Sequence, residues 1–158
     1  MITIDVSIEG GDWASKDQLE ELTRIAITEV CNGIDVQLPE GAEIGTVFTD
    51  DARVKELNTI WRKKNAPTNV LSFAANDDMP RHQWSPLLGD IVLAQEAIAR
   101  EAVEQNKTFD NHLTHLIIHG FLHLLGHDHE NDTDAETMES LETRVLAKLG
   151  IADPYASA

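Results

Sequence analysis

The sequence predicts an α+β domain, one sheet of about four strands packed with about five helices, and three observations predict it. Four short segments carry the alternating or clustered apolar residues of strands, and five longer ones carry apolar residues at helical spacing. Their order is strand, helix, strand, helix, two strands, then helices. Residues 1–158 are expected to form a single domain, because 158 residues can enclose one sizeable core and are few for two.

The first strand is Ile2 to Ile8, where Ile2, Ile4, Val6 and Ile8 alternate with polar residues until Gly10 and Gly11 end it. From Lys16 to Val30, Leu19, Leu22, Ile25, Ala26 and Val30 keep a helical period, with Ser15 as N-cap. A turn at Pro39 and Gly41 leads to the strand EIGTVFT, ending at Thr49. Asp50 and Asp51 open a second helix, whose buried side is expected to be Val54, Leu57, Ile60 and Trp61. Pro67 disfavours helix before it, and Asn69 to Ala75 reads as the third strand. Asn76 to Leu88 is expected to be an irregular exposed loop, and Gly89 to Ala94 the fourth strand. A short helix over Gln95 to Gln105 turns Ala97, Ile98, Ala102 and Val103 inward. A helix rich in histidine follows. The last helix, Thr133 to Leu149, has Met138, Leu141, Val145, Leu146 and Leu149 as its apolar stripe and Gly150 as its stop, and the tail YASA is expected to fray.

Composition narrows the function. With 42% hydrophobic and 25% charged residues the chain is an ordinary globular one. It has no apolar run of membrane-spanning length, and export is not expected, since MITIDVSIEG lacks a basic segment followed by an apolar one. Cys31, the one cysteine, has no partner for an internal disulfide and reads as a small packed residue in a reducing compartment. A formal charge of −16, from 28 acids and 12 bases, repels a polyanion overall, so any nucleic-acid contact must be local. Arg53, Lys55, Arg62, Lys63 and Lys64 supply such a local basic cluster. Seven acids from Asp128 to Glu142 (Asp128, Glu130, Asp132, Asp134, Glu136, Glu139, Glu142) read as a solvated face.

The most informative stretch is HGFLHLLGHDH, from His119 to His129. His119 and His123 are four residues apart on a helix and share a face, while Gly126 sits where a helix ends in a left-handed turn. The chain can then double back and aim a third histidine at the same point. Three imidazoles suit a divalent transition metal, zinc before others, with a coordination position open to water, which is the catalytic type of site. Spacing alone leaves His127 and Asp128, inside the turn, as alternatives to His129. The pattern is that of the metal helix of metzincin peptidases, except that Gly120 occupies the place of their glutamate base.

Three stretches together, LNTIWRKKNAPTNVLSF from Leu57 to Phe73, LGDIVLA from Leu88 to Ala94, and HGFLHLLGHDH, resemble the YbeY family of bacterial endoribonucleases. The resemblance implies a mixed sheet with helices, one zinc-like ion on His119, His123 and His129, and a functionally important Arg62. It further implies a cytoplasmic protein acting on small-subunit ribosomal RNA and on defective ribosomes, with RNA, the ribosome or small-subunit proteins as partners. Where the family usually carries tyrosine this chain has His127, a spare ligand beside His129.

The expected chemistry is metal-dependent hydrolysis of RNA phosphodiester bonds. A metal and a guanidinium can together stabilise the charge that builds on the phosphoryl oxygens. Arg62 is the catalytic and substrate-binding candidate, with Lys63 and Lys64 beside it on flanking phosphates. Asp128 is the candidate base or histidine-orienting carboxylate, and His115, one turn before His119, reads as a supporting or packed histidine. Ser72 has no base beside it in sequence and reads as structural. Two rival readings are a metallopeptidase-like hydrolase, against which Gly120 argues, and a non-catalytic ribosome-assembly factor whose metal is structural.

Overall fold

The computed structural model describes residues 2–34, 37–62, 68–127 and 131–155, with only the backbone of Arg62. Four strands, β1 (Thr3–Ile8), β2 (Glu43–Thr49), β3 (Val70–Ala74) and β4 (Leu87–Ala94), form one mixed sheet in the order β1-β2-β4-β3. β1, β2 and β4 run parallel and β3 runs antiparallel at the edge, with Ile4 opposite Ile44, Phe48 opposite Leu93, and Ser72 opposite Ile91. Five helices pack on the sheet: α1 (Lys16–Gly33), α2 (Asp51–Arg62), α3 (Gln95–Glu104), α4 (Phe109–Leu124) and α5 (Asp132–Lys148). The α+β class and the predicted order of elements are both borne out.

Local chemistry sets the boundaries. Ser15 and Gln18 form the reciprocal cap that starts α1, each side chain meeting the other's backbone N–H. Asp50 Oδ1 accepts the Arg53 N–H at 2.8 Å and so opens α2. Asp51 and Glu96 then tie α2 to α3, because Asp51 Oδ1 accepts the Ala97 N–H and Glu96 Oε1 accepts the Asp51 N–H, both at 3.0 Å.

From Ile91 to Ala94, beyond a register shift near Leu88, β4 alternates its side chains between two apolar clusters. Leu88, Ile91 and Leu93 enter the larger, which gathers α1, α4 and α5 through Ile27, Val30, Ile117, Phe121, Val145 and Leu146. Val92 enters the smaller, with Val54 of α2, Leu71 of β3 and Ala97 of α3. The helix that carries the histidines therefore lies on one face of the sheet, and α2, with Arg53 and Lys55, lies on the other.

Several expectations are corrected. Ile60 and Trp61 are 57% and 68% exposed, so the buried side of α2 is Val54 and Asn58, with Leu57 half-buried. Val103, at 82% exposed, likewise faces out from α3. The segment expected to be an irregular exposed loop is shorter and better tied. β4 starts at Leu87 with Leu88 buried, Arg81–Gln83 makes a 3-10 turn, and the buried Asn76 side chain closes the loop. Its Oδ1 accepts the Ser85 N–H at 3.0 Å and its Nδ2 donates to the Leu87 carbonyl at 3.1 Å. The C-terminal segment does not fray at Tyr155, which docks onto α5; residues 156–158 lie outside the described part.

Candidate metal centre

α4 begins at Thr108, whose hydroxyl accepts the Asn111 N–H at 3.1 Å, and it runs almost wholly buried to Leu124. Its end is the predicted glycine turn. The Gly126 N–H donates to the His123 carbonyl and the His127 N–H to the Leu122 carbonyl, each at 3.0 Å, with Gly126 at φ +99. No heavy atom lies within 4 Å of a Cβ placed on Gly126, so its backbone angle, not crowding, demands glycine. Arg81 braces this end from the β3–β4 loop. Its Nη2 donates to the Leu125 carbonyl at 3.0 Å while its guanidinium lies 4.2 Å from the Trp84 ring centre.

His119 and His123 meet on the half-buried flank of α4, their ring centres 4.7 Å apart and their Nε2 atoms 3.1 Å apart. Two imidazole nitrogens bound to one tetrahedral zinc, each about 2.0–2.1 Å from it, stand about 3.3 Å apart. The pair therefore fits a shared ion. His129 and Asp128 lie outside the described residues, as do Lys63 and Lys64, and Arg62 is described only as the last backbone position of α2. Among the described residues alone no set of three ligands closes.

Behind His119 stands Glu142, a group whose place in an acidic run predicts the solvated face. It is instead fully buried on α5, between Met138 and Val145 in the apolar stripe. Its Oε1 lies 2.6 Å from His119 Nδ1, and its Oε2 lies 2.6 Å from His115 Nε2 and accepts the Tyr155 hydroxyl at 2.5 Å. Burial by itself raises this carboxyl, but the hydrogen bonds from His115, His119 and Tyr155 outweigh it and hold the group at about 2. The same burial and the neighbouring carboxylate push the Tyr155 hydroxyl well above its usual range, so it stays a donor. His115 thus bonds Glu142 through Nε2, and its Nδ1 is buried with no hydrogen-bond partner among the described residues. The signal that finds Glu142 is an acid inside an apolar helical stripe, which costs too much to bury unless it is paired.

Gly120 and Ser72 are packing residues. A Cβ on Gly120 would lie 2.8 Å from Ile91 Cγ2 and 3.1 Å from Ser72 Oγ, so the place of the peptidase glutamate is a helix–sheet contact with no room for a side chain. Ser72 belongs to that contact. Burial, then the charge of Arg81, lowers the His127 imidazole and keeps it neutral near pH 7. Burial raises the half-buried Cys31 thiol, which makes it a poor nucleophile. A cavity of about 270 Å³ opens beside His119 and is lined by Ala135, Met138, Glu139, Glu142 and Tyr155.

Comparison with known proteins bears on the family and the fold. The sequence model of the family described as Endoribonuclease YbeY matches residues 7–150. An Endoribonuclease YbeY of Sinorhizobium fredii (strain NBRC 101917 / NGR234) is 49% identical over 159 residues, covering 98% of this chain and 92% of that one. Those of Sinorhizobium medicae (strain WSM419) and Rhizobium meliloti (strain 1021) are 46% and 47% identical, each covering 98% of this chain and 95% of its own length. The solution structure of a Thermotoga maritima protein superposes with a TM-score of 0.57 at 24% identity, over 98% of this chain and 97% of that one, and so shares the fold.

Proposed function

The chain belongs to the YbeY endoribonuclease family, and from that premise we propose that it is a zinc-dependent single-strand endoribonuclease of the cytoplasm, acting in small-subunit ribosomal RNA 3′-end maturation and ribosome quality control. The observation that carries the metal part is the 3.1 Å approach of the His119 and His123 Nε2 atoms, with a buried carboxylate behind His119. His129 is the third ligand. When bound, a zinc ion would supply Lewis-acid polarisation of a phosphoryl oxygen and a water acidified toward neutral pH.

The chain's own residues do the rest. Arg62 binds the scissile phosphate with its planar fork of donors, and Lys63 and Lys64 hold flanking phosphates. Asp128 accepts the proton of the attacking water or orients a ligand histidine. The ribosome and small-subunit proteins are the partners that bring a chain of charge −16 close to RNA, since its own surface repels a polyanion. The packing of Gly120 against Ile91 and Ser72 speaks against a peptidase, whose glutamate base has no space there.

The test is cleavage of a labelled ribosomal RNA fragment by metal-analysed protein, with His123→Ala and Arg62→Ala in parallel. The parent should cut, both variants should fall by at least about a hundredfold, and only His123→Ala should lose its metal. A metal-loaded parent that leaves RNA intact sinks the nuclease reading and favours an assembly factor with a structural metal.

A further inference from the structure

Glu142 is a fully buried carboxylate with three donors, and the way they divide between its two oxygens has a chemical consequence. An ionised carboxylate only accepts hydrogen bonds. At 2.6 Å from Glu142 Oε1, His119 Nδ1 is the donor, so in the neutral ring the lone pair lies on Nε2. Nε2 is also the nitrogen 3.1 Å from His123 Nε2. On the other oxygen, His115 Nε2 and the Tyr155 hydroxyl complete the shell. Tyr155 is itself held in place, because Asp153 Oδ1 accepts the Tyr155 N–H at 2.8 Å and the Thr143 hydroxyl at 3.2 Å, which pins the C-terminal turn to α5.

We propose that Glu142, clamped by Tyr155 and His115, is a positioning residue of the metal centre, and that the C-terminal turn is thereby a working part of the site; this rests on the reading of His119 as a ligand. Glu142 locks His119 in the Nδ1–H tautomer and fixes the plane of its ring. Tyr155 and His115 keep Glu142 aimed, since a buried carboxylate oxygen without a donor would rotate toward another one. A hydrogen-bonded carboxylate behind a ligand imidazole also makes that imidazole a better donor to the metal, typically by 10–100-fold in affinity.

The test uses the full chain, Glu142→Gln and Tyr155→Phe, with two readouts. In metal-free protein, nitrogen-15 NMR of the imidazole rings reports the His119 tautomer directly. In the same samples, competition with a chelator measures zinc affinity. The parent should show Nδ1–H at His119, both variants should show a mixture of tautomers, and zinc affinity should fall about 10–100-fold in Glu142→Gln. Tyr155→Phe should lose a few-fold while its metal-free form melts within a few degrees of the parent. Should Glu142→Gln fail to fold, Tyr155→Phe decides, because it removes a single hydroxyl at the edge of the site. A parent with His119 in the Nε2–H form, or two folded variants that bind zinc as tightly as the parent, overturns the inference. A parent that binds no zinc overturns the metal reading instead, while the His119 tautomer in that same protein still shows whether Glu142 orients the ring.

Discussion

A carboxylate with no solvent exposure survives folding when each of its oxygens has a donor, and Glu142 has His119, His115 and Tyr155. Its depressed folded-state value, about 2 against 4.5 for a free glutamate, makes stability depend on pH with a definite sign. The contribution is complete above the unfolded value and is lost as pH falls from about 4.5 toward 2, amounting to about 3 kcal/mol at 1.36 kcal/mol per unit. Urea titrations of metal-free protein across that range should show this loss in the parent, and its absence in Glu142→Gln. Gly120 illustrates the opposite constraint, space rather than charge. Gly120→Ala improves helix propensity by about 1 kcal/mol but pushes a methyl to 2.8 Å from Ile91, and overpacking costs about 1–3 kcal/mol. Denaturant midpoints should therefore report a net loss of about 1 kcal/mol.

At the scale of elements, α4 was legible because its apolar period, its i,i+4 histidines and its terminal glycine each state a local rule, and local rules survive into the fold. What was not legible depended on tertiary neighbours. The apolar period of α2 runs on to Trp61, whose exposure no local rule announces, whereas Ile60 stands off the Val54 face by helical angle. Val103 is exposed for another reason, since five residues at 3.6 per turn put it about 140° around α3 from the buried Ile98. Glu142 was hidden by its sequence neighbours, a run of surface acids, and only the approach of α4 and the C-terminal turn gives it partners. Thermal melts can check the corrected face of α2. Val54→Ala empties a fully buried site between α2 and β4 and should cost about 2 kcal/mol, whereas Trp61→Ala should stay within about 0.5 kcal/mol.

Across the whole molecule, β3 and β4 separate two layers. One layer holds α4 with its histidines, and the other holds α2 with the Arg62 position. Among the described residues no helix is long and apolar enough to cross a membrane. The charge of −16 confines attraction for a polyanion to the basic cluster and to whatever cation the histidines hold. Both the electrostatics and the chemistry proposed for this chain thus depend on one ion at His119, His123 and His129. The most direct measurement strips the protein with a chelator and adds zinc back in steps while cleavage of a single-stranded ribosomal RNA fragment is followed. The stripped protein should not cleave, recovery should saturate at one zinc per chain, and His123→Ala should not recover. Undiminished cleavage by fully stripped protein would contradict the metal-dependent mechanism.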